Sequence, residues 1–334
     1  MALLEVENLK TEFRTDQGQV YAVRDVSFTL EQGEALGIVG ESGSGKSQTM
    51  YSIIGLLADN GKVTANRIAF DGKDINPGSF KSKKDYEALM KDIRGNSMAM
   101  IFQDPMTFLN PILKIGKQLT EPLLNHTNMS KEEARKRAIE LMTLVGIPSP
   151  EKRIDQYPFE FSGGMRQRII IAIALANSPK LVIADEPTTA LDVTIQAQVL
   201  ELIDELKKNS NSAIIMITHD LGVVAKLCDK LAIMYGGKIV EMGTDKDIFY
   251  DPKHPYTRGL LGCIANPDDD EEKELHPIAG SPPDLLNPPK GCPFVDRCDE
   301  ALRVCKDNVP AVTKFSDTHS CACWLHDERV VTSK

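Results

Sequence analysis

"GESGSGKS", residues 40–47, decides the reading of this chain. It matches G-x-x-x-x-G-K-[ST], a loop whose glycines let backbone N–H groups close around phosphate oxygens with no Cβ in the way. A match of this kind needs a buried strand before it and a helix after it. The preceding "EALGIVG" (34–40) is a near-continuous apolar run ending in a glycine turn, and the following "MYSIIGLL" (50–57) suits a helix. The helix N-terminus then points its positive end at the same anion. On this reading Ser42, Gly43, Ser44, Gly45, Lys46, Ser47 and Gln48 form the nucleotide cradle. Lys46 offsets the β and γ phosphates, and Ser47 ligates Mg²⁺. The plain alternative is a glycine-rich turn with an incidental Lys-Ser, which the flanking pattern disfavours.

Working outward, "LVIADEP" (181–187) supplies a second half. Four apolar residues bury a strand, and Asp185 emerges at its carboxyl end, where open α/β sheets bind ligands. Asp185 is the candidate Mg²⁺ partner, mainly through water, and Glu186 the candidate to polarise an attacking water. Alone, such an acidic pair is more often a solvated strand end; beside a phosphate loop the balance reverses. The rest of the pattern is α/β. "LLEVENLKTEF" and "YAVRDVSFTL" alternate as strands, and "SAIIMITHD" and "KLAIMYGGKIVEMG" continue the series. "SKEEARKRAIELMTLVG" (130–146) predicts a helix with a Ser130/Glu133 capping box and a stop at Gly146. "TIQAQVLELIDELKKN" (194–209) predicts another, with Ile195, Val199, Ile203 and Leu206 on one face. Strands alternating with helices predict a largely parallel sheet.

Composition bounds the function. The chain has 334 residues, enough for one large domain plus an appendage, or two domains. Lys and Arg total 39 against 48 Asp and Glu, a formal charge of −9 that disfavours nucleic acid as a partner. The longest apolar run, "IIIAIALA" (169–176), is well short of the ~20 residues that span a bilayer. The N-terminus shows no signal-peptide pattern, so any membrane role is expected to come through partners. After residue 265, "NPDDDEEKEL" is acidic and "PIAGSPPDLLNPP" too proline-rich for a helix. These divide the chain into 1–265, a linker over 266–290, and a small module over 291–334.

"FSGGMRQR" (161–168) narrows the class. It resembles the signature motif of the ATP-binding-cassette ATPases, with Met165 where glutamine is commonest. The tetrad alone would equally suit a plain helix N-cap. Other landmarks of that family follow in order: Gln103 in "MIFQDP" resembles the glutamine that reaches Mg²⁺ and the attacking water, "ALD" (190–192) the D-loop, and His219 in "ITHD" the histidine that contacts the γ-phosphate. Phe13 is the candidate to stack on adenine, with Tyr21 as competitor. The resemblance implies a P-loop ATPase fold: a RecA-like parallel core, an antiparallel β subdomain and a helical subdomain over about residues 104–165. It also implies that two subunits pair head to tail, with Ser162, Gly163 and Gly164 of one completing the ATP site of the other.

"GESGSGKSQ", "IFQDPMTFLNP", "MYGGKIVEMGTDKDIFYDPKHPYTRGLL" and the cysteine-bearing tail resemble the ATPase subunits of bacterial dipeptide and oligopeptide importers. That implies ATP hydrolysis on the cytoplasmic face of the membrane. The implied partners are a second ATPase subunit (a paralogue or a second copy), two transmembrane permeases and, indirectly, an extracytoplasmic peptide-binding protein. In "DPMTFLNPILKIG", the residues Pro105, Met106, Phe108 and Leu109 are read as the permease docking surface, with buried core as the alternative. A soluble cassette ATPase acting on a non-transport target, and a non-catalytic ATP sensor, are the competing readings.

Seven cysteines are present, five of them after residue 290. Cys292, Cys298 and Cys305 are separated by five and six residues, wider than the close pair usual in structural zinc. Free thiols, disulfides and zinc are all open on spacing. The resemblance favours a [4Fe–4S] cluster on Cys292, Cys298, Cys305 and Cys323, with Cys321 spare because Cys323 precedes Trp324. Cys228 and Cys263 are expected to be buried thiols.

Overall fold

The structure is a computed structural model that describes residues 2–103, 108–188, 193–263 and 278–331. The chain divides into two compact units, one formed by residues 1–3, 30–35 and 80–217, the other by 4–29, 36–79 and 218–334. The "ALD" stretch, Pro105, Met106 and the first part of the linker lie outside the described residues.

The second unit begins with long strands β1 (Leu4–Thr15) and β2 (Gly18–Leu30), then β3 (Ala35–Val39). Leu4 and Val6 are buried, and so are Leu9 and Thr11. A strand with strict period two would turn one of these pairs outward. Asn8 sits between them at φ 53°, and this left-handed residue resets the alternation as a bulge does. Strands β4 (Gly61–Thr64), β5 (Arg67–Phe70) and β6 (Lys73–Asp74) complete an antiparallel sheet in the order β2-β1-β5-β6, with β4 also on β1. Helix α1 (Lys46–Ile54) leaves β3 through the glycine loop. Strand β3 pairs in parallel with a later strand, β10 (Lys230–Tyr235), which turns through Gly236 and Gly237, both at positive φ, into antiparallel β11 (Lys238–Thr244).

The first unit carries β7 (Met98–Ile101), β8 (Leu181–Asp185) and β9 (Ala213–Thr218) as parallel neighbours. All five residues of β8 are buried, as an apolar strand covered on both faces requires. Around them are α2 (Lys83–Ile93), α3 (Ile115–His126), α4 (Lys131–Leu144), α5 (Gly163–Ala174) and α6 (Val193–Ser210). The Ser130/Glu133 capping box forms at the start of α4, and Ala134, Ala138, Leu141 and Met142 are buried. In α6, Val199 and Ile203 are buried and Ile195 half-buried.

The tail is fastened to the second unit by specific bonds. Strands β12 (Thr313–Lys314) and β13 (Ser320–Cys321) extend the sheet edge, with β13 antiparallel to β11. The carboxylate of Glu241, 1% exposed, accepts from the N–H groups of Lys253 and His254 at 2.7 and 2.9 Å and lies 2.9 Å from His319 Nε2. A carboxylate this deep is tolerated because donors surround it. The proline-rich stretch is ordered against β2: Tyr21 N–H donates to the Leu285 carbonyl at 2.9 Å, and Arg24 to the Pro289 carbonyl at 3.0 Å.

Candidate functional site

Three glycines shape the phosphate loop. Gly43 and Gly45 lie at φ 78° and 99°, in the region that favours glycine. A Cβ on Gly45 would stand 2.4 Å from the Ala22 carbonyl oxygen, and one on Gly40 would stand 2.1 Å from that of Met234. Gly45 caps helix α1 without a side-chain hydrogen bond, and the positive end of a helix favours an anion. Lys46 is 6% exposed and donates through Nζ to the Gly40 and Glu41 carbonyls at 2.7 and 2.9 Å. Ser42 and Gly43 are exposed, Ser44 is buried, and Ser47 and Gln48 are half-buried at the head of α1. A flexible ammonium resting on carbonyls can transfer to phosphate oxygens at little cost, because one set of oxygen acceptors replaces another. Phe13 is half-buried on β1, opposite Gly61. A Cβ on Gly61 would come 2.9 Å from its ring. Tyr21 is half-buried on β2. His219 is exposed directly after β9, where Asp220 caps the helix α7 (Leu221–Leu227).

In the first unit, Asp185 ends β8 at 1% exposure. Glu186 follows at φ 46°, with its N–H donating to the Ile217 carbonyl at 2.9 Å. A non-glycine residue in the left-handed region is strained, and such strain collects where a side chain must be aimed. The Gln103 amide donates to Glu186 Oε2 at 2.7 Å, bringing together two side chains 83 positions apart. Ser162 caps α5, accepting from the Met165 N–H at 3.3 Å. Ser162 and Gly163 are exposed, and a Cβ on Gly163 would meet nothing within 4 Å. Gly164 differs: a Cβ there would lie 3.0 Å from Ile195 of α6. Phe108 is exposed and stacks on Phe102 at 4.7 Å, whereas Leu109 is 2% exposed and belongs to the core. The apolar stretch after Gln103 therefore divides between surface and interior.

The tail's cysteines are all free thiols. Cys292 donates its N–H to the Cys305 carbonyl at 2.8 Å, and Cys298, Cys305 and Cys323 all act electrostatically on the Cys292 thiol. Burial pushes Cys292 up to about 12 and Cys298 up to about 11. Cys321 hydrogen-bonds to Cys323, which raises the former's pKa and lowers the latter's. Among the described residues, no group of three or more His, Cys, Asp or Glu side chains is arranged to hold a metal ion. Cys321 is the most buried of the five tail cysteines and hydrogen-bonds to Cys323. Cys263 is exposed at the end of helix α8 (Pro255–Gly262), contrary to the expectation of a buried thiol, because the helix stops there; Cys228 is buried.

Sequence profiles match two stretches: the family described as ABC transporter over residues 23–189, and the oligopeptide/dipeptide transporter C-terminal region over residues 240–305. An oligopeptide transport ATP-binding protein, OppD, of Bacillus subtilis (strain 168) is 55% identical over 324 residues, 97% of this chain and 88% of that protein. The chain belongs to the ABC transporter family. A dipeptide transport ATP-binding protein, DppD, of the same organism is 54% identical over 98% of this chain and 96% of that protein. A solved structure of the ATP-binding cassette MJ0796, in a dimeric post-hydrolysis state with ADP and Pi, superposes with a TM-score of 0.63. It is 27% identical and covers 72% of this chain and 98% of that one. The parallel core, the antiparallel β sheet and the helical region are those of an ABC ATPase. No helix among the described residues is long and apolar enough to cross a membrane.

Three residues that bear on the loop were not singled out as site candidates: Arg297, Tyr235 and Tyr256, all contributed by segments far downstream of it. Tyr235 and Tyr256 lie in the stretch that resembles the peptide importers, and Arg297 directly precedes Cys298, but no spacing ties any of them to the loop.

Proposed function

We propose that this chain is the ATP-hydrolysing subunit of an importer of dipeptides or oligopeptides. The observation that carries the reading is the match beyond the cassette itself, over residues 240–305, to the C-terminal region of oligopeptide and dipeptide transporters. The near full-length similarity to OppD and DppD supports it.

Each residue has a role in the chemistry. Lys46 and the backbone at the head of α1 hold the β and γ phosphates. Phe13 stacks on adenine, and Gln48 lines the loop. Ser47, Asp185 and Gln103 are the residues that would offer Mg²⁺ its oxygen donors, and the ion would offset charge developing on the phosphates. Glu186, aimed by its strained backbone and by Gln103, draws a proton from water as the water oxygen attacks the γ-phosphorus. The bond to the β–γ bridging oxygen breaks, and ADP and phosphate leave. His219 steadies the γ-phosphate. Ser162, Gly163 and Gly164 act on the ATP of a second subunit, a paralogue or another copy of this chain, so that closure needs both. The subunit sits on the cytoplasmic face of the membrane with two permeases, fed by an extracytoplasmic peptide-binding protein.

Reconstitution with the permeases tests the reading. ATP-dependent uptake of a di- or oligopeptide, lost with Glu186→Gln, is the expected result. Failure to co-purify with any polytopic membrane protein, with full ATPase activity retained, would favour a soluble cassette instead.

A cluster of four thiolates in the tail is a second, separate reading. The mutual influence of Cys292, Cys298, Cys305 and Cys323 speaks for it, and the lack of a metal-holding arrangement among the described residues speaks against it. Anaerobic purification with metal analysis decides: about four irons per chain and broad absorbance near ~400 nm support it, and a colourless protein free of iron ends it.

A further inference from the structure

Glu41 is out of place electrostatically. It is the second residue of a loop read as holding a triphosphate, where a carboxylate opposes the ligand's charge. Arg297, from the tail, answers it. Nη1 lies 2.7 Å from Glu41 Oε2 and Nη2 lies 3.1 Å from Oε1, a bidentate pair. The remaining guanidinium donors are also used. Nη1 donates to Tyr235 Oη at 3.1 Å, Nη2 to the Ile278 carbonyl at 3.0 Å and Nε to the Ala279 carbonyl at 2.8 Å. The group's five N–H donors thus all have acceptors, with the side chain only 6% exposed. Lysine cannot reproduce this fork.

The peptide of Glu41 is held from the other side as well. Its N–H donates to Tyr256 Oη at 2.9 Å, and Tyr256 is fully buried against Tyr235 at 4.5 Å and Phe294 at 5.3 Å. Its carbonyl accepts from Lys46 Nζ at 2.9 Å. Side chain, N–H and carbonyl of one residue are therefore fixed by Arg297, Tyr256 and Lys46 in turn. Moving Glu41 would move the resting place of the lysine.

We propose that Arg297 is a positioning residue for the nucleotide: from the C-terminal module it neutralises Glu41 and clamps the first turn of the phosphate loop, so that the tail sets the loop's affinity for phosphate. This rests on the reading that residues 40–47 hold the nucleotide's phosphates. Cys298 follows Arg297 directly, so a change of state at the cysteines would reach the loop through this pair.

The test uses the full chain and Mg·ADP, which is not hydrolysed. Arg297→Met leaves Glu41 charged and unpaired, and should weaken ADP binding about tenfold. Glu41→Gln should weaken it roughly threefold, and Arg297→Lys should fall between the wild type and Arg297→Met. The sign of the double variant is the discriminating readout. Arg297→Met with Glu41→Gln should return to the Glu41→Gln value, because the offending charge is gone. Unchanged binding in Arg297→Met, or a double variant as weak as the product of the singles, overturns the proposal. Should Arg297→Met lose cooperative melting, Arg297→Lys and Glu41→Gln carry the test, and wild-type affinity in both overturns it. Lys46→Ala separates the two levels. If it keeps ADP affinity, the phosphate-loop reading fails; if it loses affinity while Arg297→Met does not, only the tail's role fails.

Discussion

The two helix N-termini that we propose face phosphate are built differently. At α1 the approach is enclosed. Gly45 fits only because it lacks a Cβ, Lys46 is 6% exposed, and the helix has no side-chain cap. At α5 the approach is open. Ser162 caps the helix, Ser162 and Gly163 are exposed, and Gly163 has empty space where a Cβ would go. The first is enclosed by its own chain, through the carbonyls of Ala22 and Met234. The second is an exposed turn, as expected of a group that acts on a neighbour's ligand. Shielding differs because the tasks differ: a loop that binds ATP within one chain must be shaped in advance, whereas a group that engages on closure must stay accessible.

The strongest way to break this comparison is Lys46→Ala. It should abolish hydrolysis and cost roughly a hundredfold or more in nucleotide affinity, read by ATPase assay and equilibrium binding. Glu186→Gln comes next. Binding should persist while turnover falls by about 10²–10⁴-fold, as for loss of a general base. Turnover at the wild-type rate would remove Glu186 from the mechanism. Ser162→Arg should leave ATP binding to the isolated chain within about twofold, since the residue serves the other subunit's site, yet abolish hydrolysis in the assembled transporter. A loss of monomer affinity as deep as that of Lys46→Ala would place the α5 terminus in its own chain's site. The smallest effects sharpen the contrast through backbone alone. Gly45→Ala puts a methyl 2.4 Å from a carbonyl oxygen at φ 99°, and should lower stability by about 1–2 kcal/mol or more. Gly163→Ala enters open space at the start of a helix, and its melting temperature should match wild type. Equal losses at the two glycines would erase the distinction.

Much of the first cradle was legible because its logic is local. "GESGSGKS" between an apolar strand and a helix states its own geometry, and the Ser130/Glu133 box formed as spaced. Glu186 was legible as a candidate by its place after β8, but its left-handed backbone was not, since no residue pattern signals φ 46° at a glutamate. Leu109 and Phe108 show the other limit. They are adjacent and both apolar, yet one is core and one is surface, a choice made by what packs against each.

What the sequence determined alone was therefore the set of short-range commitments: the phosphate loop, the alternation of strands and helices, the capped helices and the family. These follow from spacing of a few residues, where sterics and periodicity act directly. The tertiary structure decided the rest. It placed Arg297 on Glu41 across 256 positions, seated His319 and two backbone N–H groups on the buried Glu241, and let Asn8 reset the phase of β1. Pairings over such distances carry no period along the chain. They arise because a charge removed from water must find its counter-charge or its donors wherever the folded backbone brings them.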